Sequence, residues 1–230
     1  MFPELYAILD PSFTPSPPVE FALKLADAGV ELIQLRDKRA TARKIQAEAV
    51  ELIAHLSPQG VRVIVNDRPD IAAIAGAGGV HIGQEDLPVE EARRICGPSR
   101  WVGISTHNLD QFRDASLTSA DYIAVGPIFP TSAKENPDPV VGIDFVRAVR
   151  KLTPKPIVAI GGITVDSAAD VFRAGADSVA VIRVLLSAGD PAGRAREYLE
   201  IARRVRAERS RREIAARNPR WRFRRAAPTP

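Results

Sequence analysis

Leu32-Ile33-Gln34-Leu35-Arg36-Asp37-Lys38 begins with the residues of a strand and then turns polar. A period of two along a strand sends Gln34, Arg36 and Lys38 to one face. Two cations side by side on a buried face repel each other and lose hydration, so the pattern predicts an anion between them. Seven further short runs of the same character predict strands at 5–9, 61–65, 79–82, 101–105, 122–125, 157–160 and 178–182.

Amphipathic stretches fall between these runs. At 41–56 the apolar residues Ile45, Ala49, Leu52, Ile53 and Leu56 recur at helical spacing. Other helices are expected at 19–28, 69–75, 88–95, 109–115, 145–152 and 166–174. Asp166 is the expected N-cap of the last of these, and Pro191 stands at the expected first turn of a final helix. Ala28-Gly29 and Ala174-Gly175 precede strands, where glycine closes a helix. Eight strands, each followed by a helix, predict an α/β fold: a single-domain (β/α)8 barrel over 1–202. A doubly wound open sheet is the alternative.

At 230 residues and 45% hydrophobic content the chain can bury a sizeable core. The start Met1-Phe2-Pro3-Glu4 lacks the basic and apolar regions of a signal peptide, and no apolar run nears the roughly 18 residues of a membrane span. A cytoplasmic protein with no membrane partner is expected. The single cysteine, Cys96, rules out an intramolecular disulfide framework and a cysteine-built metal site. The net charge of +4 is uneven: residues 203–230 hold eleven Arg and two Glu, leaving −5 on the preceding 202. This Arg-rich extension is expected to be helical or frayed. Its interleaved Trp221 and Phe223 keep nucleic-acid binding open as an alternative role.

In a barrel the reacting groups lie at the carboxyl ends of the strands. Asp67 and Asp86 follow adjacent strands, about 4.8 Å apart. Two carboxylates that close predict a shared cation or proton, and hard oxygen donors suit Mg2+. The competing reading pairs Asp67 with Arg68 or makes it a cap before Pro69, with Asp86 capping before Pro88. Arg36, Lys38 and Lys134 are expected to face this acidic wall, as a diphosphate would require. Gly161-Gly162 suits either an anion approached by backbone N–H groups or a tight turn. The segment 127–142 is long enough for a lid. His81, between Val80 and Ile82, is expected to be a hydrogen-bonded core residue, and His107 a contact at the cavity.

Taken together, these motifs resemble the thiamine phosphate synthase family. The resemblance is carried by Ile33-Gln-Leu-Arg-Asp-Lys38, Val65-Asn-Asp-Arg68, Gly79-Val-His-Ile-Gly-Gln-Glu-Asp86 and Val102-Gly-Ile-Ser-Thr-His107. Asp121-Tyr-Ile-Ala-Val-Gly-Pro-Ile-Phe-Pro-Thr131, Lys134 and Ala159-Ile-Gly-Gly-Ile163 complete it. It implies a transferase joining a pyrimidine diphosphate to a thiazole phosphate, with Mg2+ as cofactor. It implies Asp67 and Asp86 as metal ligands, and Arg36, Lys38, Asn66, Ser105 and Lys134 as diphosphate contacts. Gln34 would meet the pyrimidine. Thr131, Gly162 and the strand-eight end at Ile182 and Arg183 would meet the thiazole phosphate. The chain departs from the family pattern at Ala133 and Arg183, where a hydroxyl residue and a serine are usual. The related thiazole tautomerase is the nearest alternative, and it needs no diphosphate or Mg2+ site.

Overall fold

The computed structural model describes residues 1–11, 13–14, 17–131, 138–186 and 189–217. Eight parallel strands close into a barrel in sequence order, with β8 pairing back onto β1. The strands are β1 (Leu5–Leu9), β2 (Leu32–Leu35), β3 (Arg62–Asn66), β4 (Gly79–Ile82), β5 (Trp101–Thr106), β6 (Tyr122–Val125), β7 (Ile157–Ile160) and β8 (Ser178–Val181). The helices between them are α1 (Pro18–Asp27), α2 (Ala42–Leu56), α3 (Pro69–Ala75), α4 (Val89–Cys96), α5 (Leu109–Leu117), α6 (Gly142–Val149) and α7 (Val165–Ala174). The described residues finish with a short α8 (Arg183–Leu186) and a long α9 (Pro191–Arg217). The expected barrel is thus present, with element ends unchanged or shifted by up to three residues.

Alternation along the strands divides the core in two. One set of side chains packs between sheet and helices, from Leu5, Ala7 and Leu9 on β1 to Val179 and Val181 on β8. The other set fills the barrel: Tyr6, Ile8, Leu32, Ile64, Tyr122, Ala124, Val158 and Ala180. The amino-terminal end is closed by Phe2, whose ring stacks on Trp101 at 5.1 Å, while the Arg62 guanidinium covers the other ring at 4.0 Å. Large rings in so narrow a space need small neighbours. A β-carbon on Gly103 would lie 2.0 Å from Cζ of Tyr122, so that ring fits only beside glycine.

Helix starts follow the local chemistry. The Thr41 hydroxyl accepts from Lys44 N at 3.3 Å to open α2, and the Asn108 amide oxygen accepts from Gln111 N at 2.9 Å to open α5. The cap expected at Asp166 is instead Thr164, which forms a reciprocal capping box with Ser167. Gly175 closes α7 with φ 117°, as the Ala-Gly pair predicted. Cys96 is buried at the end of α4 with Sγ 3.5 Å from Pro69 O, and burial pushes its thiol pKa up.

Helix α9 packs on α7, α1 and α8 through Ala195, Tyr198, Leu199, Ala202 and Val205. The Tyr198 hydroxyl donates to Ile163 O at 2.9 Å. The helix runs through position 203 without a break. Arg206 reaches back to Glu4 at 2.7 Å and Glu208 to Arg173 at 3.3 Å, after which residues 209–214 are exposed. Among the described residues no helix is long and apolar enough to cross a membrane.

Candidate active site

The polar residues that follow β2, β3, β4 and β5 meet at one end of the barrel. Gln34 points inward from β2 and is buried, its Nε2 donating to the Tyr6 hydroxyl at 2.7 Å. Beyond the strand, Arg36 N donates to Leu9 O at 2.9 Å, which carries the chain along the end of β1. The Arg36 guanidinium then meets Asp10 at 2.8 Å, with side-chain exposures of 16% and 5%. Lys38 lies 3.3 Å from Asp67 and is 59% exposed. Each cation is thus paired with its own carboxylate, and Lys38 stands beside the acidic wall rather than opposite it.

Asp67 follows β3 with φ 61°, a left-handed conformation that Asp and Asn tolerate better than other residues bearing a β-carbon. Its N–H donates to His81 O at 2.8 Å, which fixes the turn against β4. Its carboxyl comes within hydrogen-bonding reach of Asp86. Burial raises the Asp67 pKa first, Lys38 opposes this, and Asp86 adds to the rise. Asp86 is held by Gly83 N at 2.7 Å. None of the competing roles holds: Arg68 pairs with Asp70 and itself occupies the cap position of α3, and Pro88, not Asp86, occupies that of α4. Two converging carboxylates with no cysteine or histidine beside them form a hard oxygen donor set that fits Mg2+. No larger cluster of acidic, histidine or cysteine ligands occurs among the described residues.

Asn66 ends β3 half-buried, in register with His81. His81 is the buried, hydrogen-bonded core residue expected, and Nε2 lies 2.8 Å from Ser105 Oγ. Gln84 donates to the Ser105 carbonyl at 2.6 Å. At the end of β5, His107 Nδ1 lies 2.7 Å from Gly126 O and Nε2 3.5 Å from Asp138. His107 thereby ties the ends of β5 and β6 to the far side of segment 132–137.

Lys134, Ala133 and Ser132 lie outside the described residues, as does the middle of the expected lid, 132–137. The described parts of that loop are pinned: Ile128 N donates to Ile160 O at 2.9 Å, and Phe129 N to Gly161 O at 3.0 Å. Thr131 is half-buried at the edge of this pinned stretch. A β-carbon on Gly162, where φ is 64°, would lie 2.5 Å from Pro130 O. Close approach of the β6 loop thus accounts for the glycine pair, whatever else its N–H groups do. Ile182 packs against the barrel-interior cluster, and Arg183 is exposed with its guanidinium 5.4 Å from the Phe13 ring.

Sequence reasoning missed Asp10, Tyr6, Tyr122 and Asp138. Asp10 follows β1 directly, so the strand-end rule that found the others points to it as well.

Catalytic-type groups gathered at the carboxyl ends of a closed parallel barrel define a (β/α)8-barrel enzyme. Which enzyme follows from its relatives: residues 5–185 match the family model described as thiamine monophosphate synthase, and the chain belongs to that family. It is a transferase of the thiamine-phosphate synthase type. The thiamine-phosphate synthase of Koribacter versatilis is 52% identical over 204 residues, covering 86% of this chain and 95% of the relative. That of Chloroflexus aurantiacus is 45% identical over 169 residues, covering 74% and 78%. The solved thiamine phosphate pyrophosphorylase from Pyrococcus furiosus superposes with a TM-score of 0.80 at 33% identity, covering 88% of this chain and 96% of that one. The matched family span holds every site residue named above and stops before α9.

Proposed function

We propose that the enzyme joins 4-amino-5-hydroxymethyl-2-methylpyrimidine diphosphate to 4-methyl-5-(2-hydroxyethyl)thiazole phosphate, giving thiamine phosphate and diphosphate. The observation that carries this reading is the convergence of Asp67 and Asp86 beside Lys38. A tautomerase has no use for a paired-carboxylate site, whereas a diphosphate leaving group does. Asp67 and Asp86 would hold Mg2+, which when bound neutralises diphosphate charge.

The reaction we infer is dissociative: the carbon–oxygen bond to diphosphate breaks first, and the thiazole nitrogen captures the resulting pyrimidine-methyl cation. Catalysis is then mainly positioning and charge stabilisation. Lys38 contributes by exchange. An exposed ion pair is worth about 0–1 kcal/mol, so turning from Asp67 to a diphosphate oxygen costs little. Arg36 contributes by staying put, because separating a buried pair from Asp10 costs about 3–5 kcal/mol. Its remaining N–H groups serve the ligand while Asp10 fixes the guanidinium plane. Ser105, Asn66 and Lys134 add donors to the diphosphate, and Gln34 meets the pyrimidine. Thr131, Gly162, Ile182 and Arg183 serve the thiazole phosphate, with an arginine where the family commonly has serine. The single cysteine, buried and unpaired, supports a cytoplasmic setting.

The test mixes purified enzyme with both substrates and Mg2+, with and without EDTA, and follows thiamine phosphate. Product that disappears with EDTA is expected. Asp86→Ala and Lys134→Ala are each expected to lower turnover at least about tenfold, and wild-type rates in either would overturn the assigned roles.

A further inference from the structure

Behind the mouth runs a hydrogen-bonded chain that the roles above do not use. It passes from Gln34 Nε2 to the Tyr6 hydroxyl (2.7 Å), to the Tyr122 hydroxyl (3.0 Å), to His81 Nδ1 (3.1 Å), and from His81 Nε2 to Ser105 Oγ (2.8 Å). Its two ends are the groups assigned to the pyrimidine and to the diphosphate. Its middle fills the barrel, with Tyr122 stacked on His81 at 5.6 Å and edge-on to Tyr6 at 5.9 Å.

The protons in this chain can be ordered from one end. An amide nitrogen donates and does not accept, so Tyr6 oxygen is the acceptor from Gln34. Each phenol carries one proton. That of Tyr6 goes to Tyr122, and that of Tyr122 to His81 Nδ1. A neutral imidazole accepting at Nδ1 holds its proton on Nε2, and that proton goes to Ser105 Oγ. Ser105 then accepts from behind and has its own proton to give. Burial pushes both phenols far above the ordinary tyrosine range, so neither ionises to disturb the order.

We propose that Tyr6, Tyr122 and His81 are positioning residues: they hold the Gln34 amide in one of its two flips and present Ser105 to the cavity as a hydrogen-bond donor. This rests on the pyrimidine and diphosphate roles given above to Gln34 and Ser105. The polarity matters because a diphosphate oxygen can only accept. Run in the opposite sense, the chain would turn a serine lone pair towards the anion and hold the amide in its other flip, with Oε1 accepting from Tyr6. Gly103 belongs to the same device, since its missing side chain makes the space in which Tyr122 bridges β4 and β1.

The chain has three histidines, so 15N NMR of the full-length protein with labelled imidazoles resolves His81 directly, its signals being those absent from His81→Gln. The expected state is a protonated Nε2 and a hydrogen-bonded imine Nδ1 at neutral pH. Tyr122→Phe should move Nδ1 to the position of an unbonded imine nitrogen, while Tyr6→Phe leaves it in place. Both variants should raise KM for the pyrimidine diphosphate about fivefold, the loss of one neutral hydrogen bond, with KM for the thiazole phosphate unchanged. A proton on Nδ1 in the wild type overturns the proposal, as do unchanged kinetics in both variants or a rise common to both KM values. If Tyr122→Phe does not fold, Tyr6→Phe carries the kinetic test. The tautomer needs no turnover, so a wild type that makes no thiamine phosphate refutes the assigned reaction separately.

Discussion

Asp67 combines a left-handed backbone with a carboxyl whose pKa is raised, first by burial and then by Asp86. Its protonated form is favoured in the folded chain. That contribution to stability is fully present below the ordinary carboxylate range and is lost as pH rises through the raised value. A divalent cation held by the pair would displace the same proton, so Mg2+ affinity should weaken as pH falls through that value, which isothermal titration at several pH values would measure. Asp67→Asn keeps the side-chain shape and tolerates the positive φ. Thermal stability without metal should therefore change little, while turnover falls at least about tenfold. Mg2+ at a hundredfold excess over its Kd should raise the wild-type melting temperature by roughly 5–10 °C and leave that of the variant unmoved. An equal rise in both would place the cation elsewhere.

At the scale of the element, the eight strands were legible because each is a short, largely apolar run between helical stretches, and most of the first five run directly into polar residues. The carboxylate pair was legible for the same reason, since adjacent strands in a parallel barrel bring consecutive strand ends together. What one strand cannot show is what its inward side chains meet across the barrel. Tyr6 and Tyr122 are 116 residues apart, and only closure puts their hydroxyls 3.0 Å from each other. The misplaced cap has a local cause: Thr164 and Asp166 are both good cap residues, and the reciprocal bond with Ser167 decides for threonine. Arg36 and Lys38 diverge because the face they share ends with the strand at Leu35, after which each finds its own acid. Gly103 gives a sharper prediction. Gly103→Ala would press its β-carbon into the Tyr122 ring, and overpacking of this kind costs about 1–3 kcal/mol. A urea midpoint at the wild-type value would show that the ring can move aside.

Over the whole molecule, the barrel is acidic and the extension from α9 is basic, yet the two are stitched together as far as Glu208. Truncation after Glu208 should leave the melting temperature and the synthase rate near wild type. Truncation after Arg204 removes buried Val205, worth about 1.5–3 kcal/mol, and the Arg206–Glu4 pair, and should lower the melting temperature by several degrees. Salt-sensitive RNA affinity lost with the shorter truncation would give the arm a role of its own. The burial of Cys96 has a practical side. A sole thiol that is shielded and reluctant to ionise should resist maleimide in the native enzyme. A cysteine introduced at exposed Glu85, next to Asp86, would then take a fluorophore alone, with no background to engineer away. Its emission would report in real time the arrival and departure of ligands at the barrel mouth.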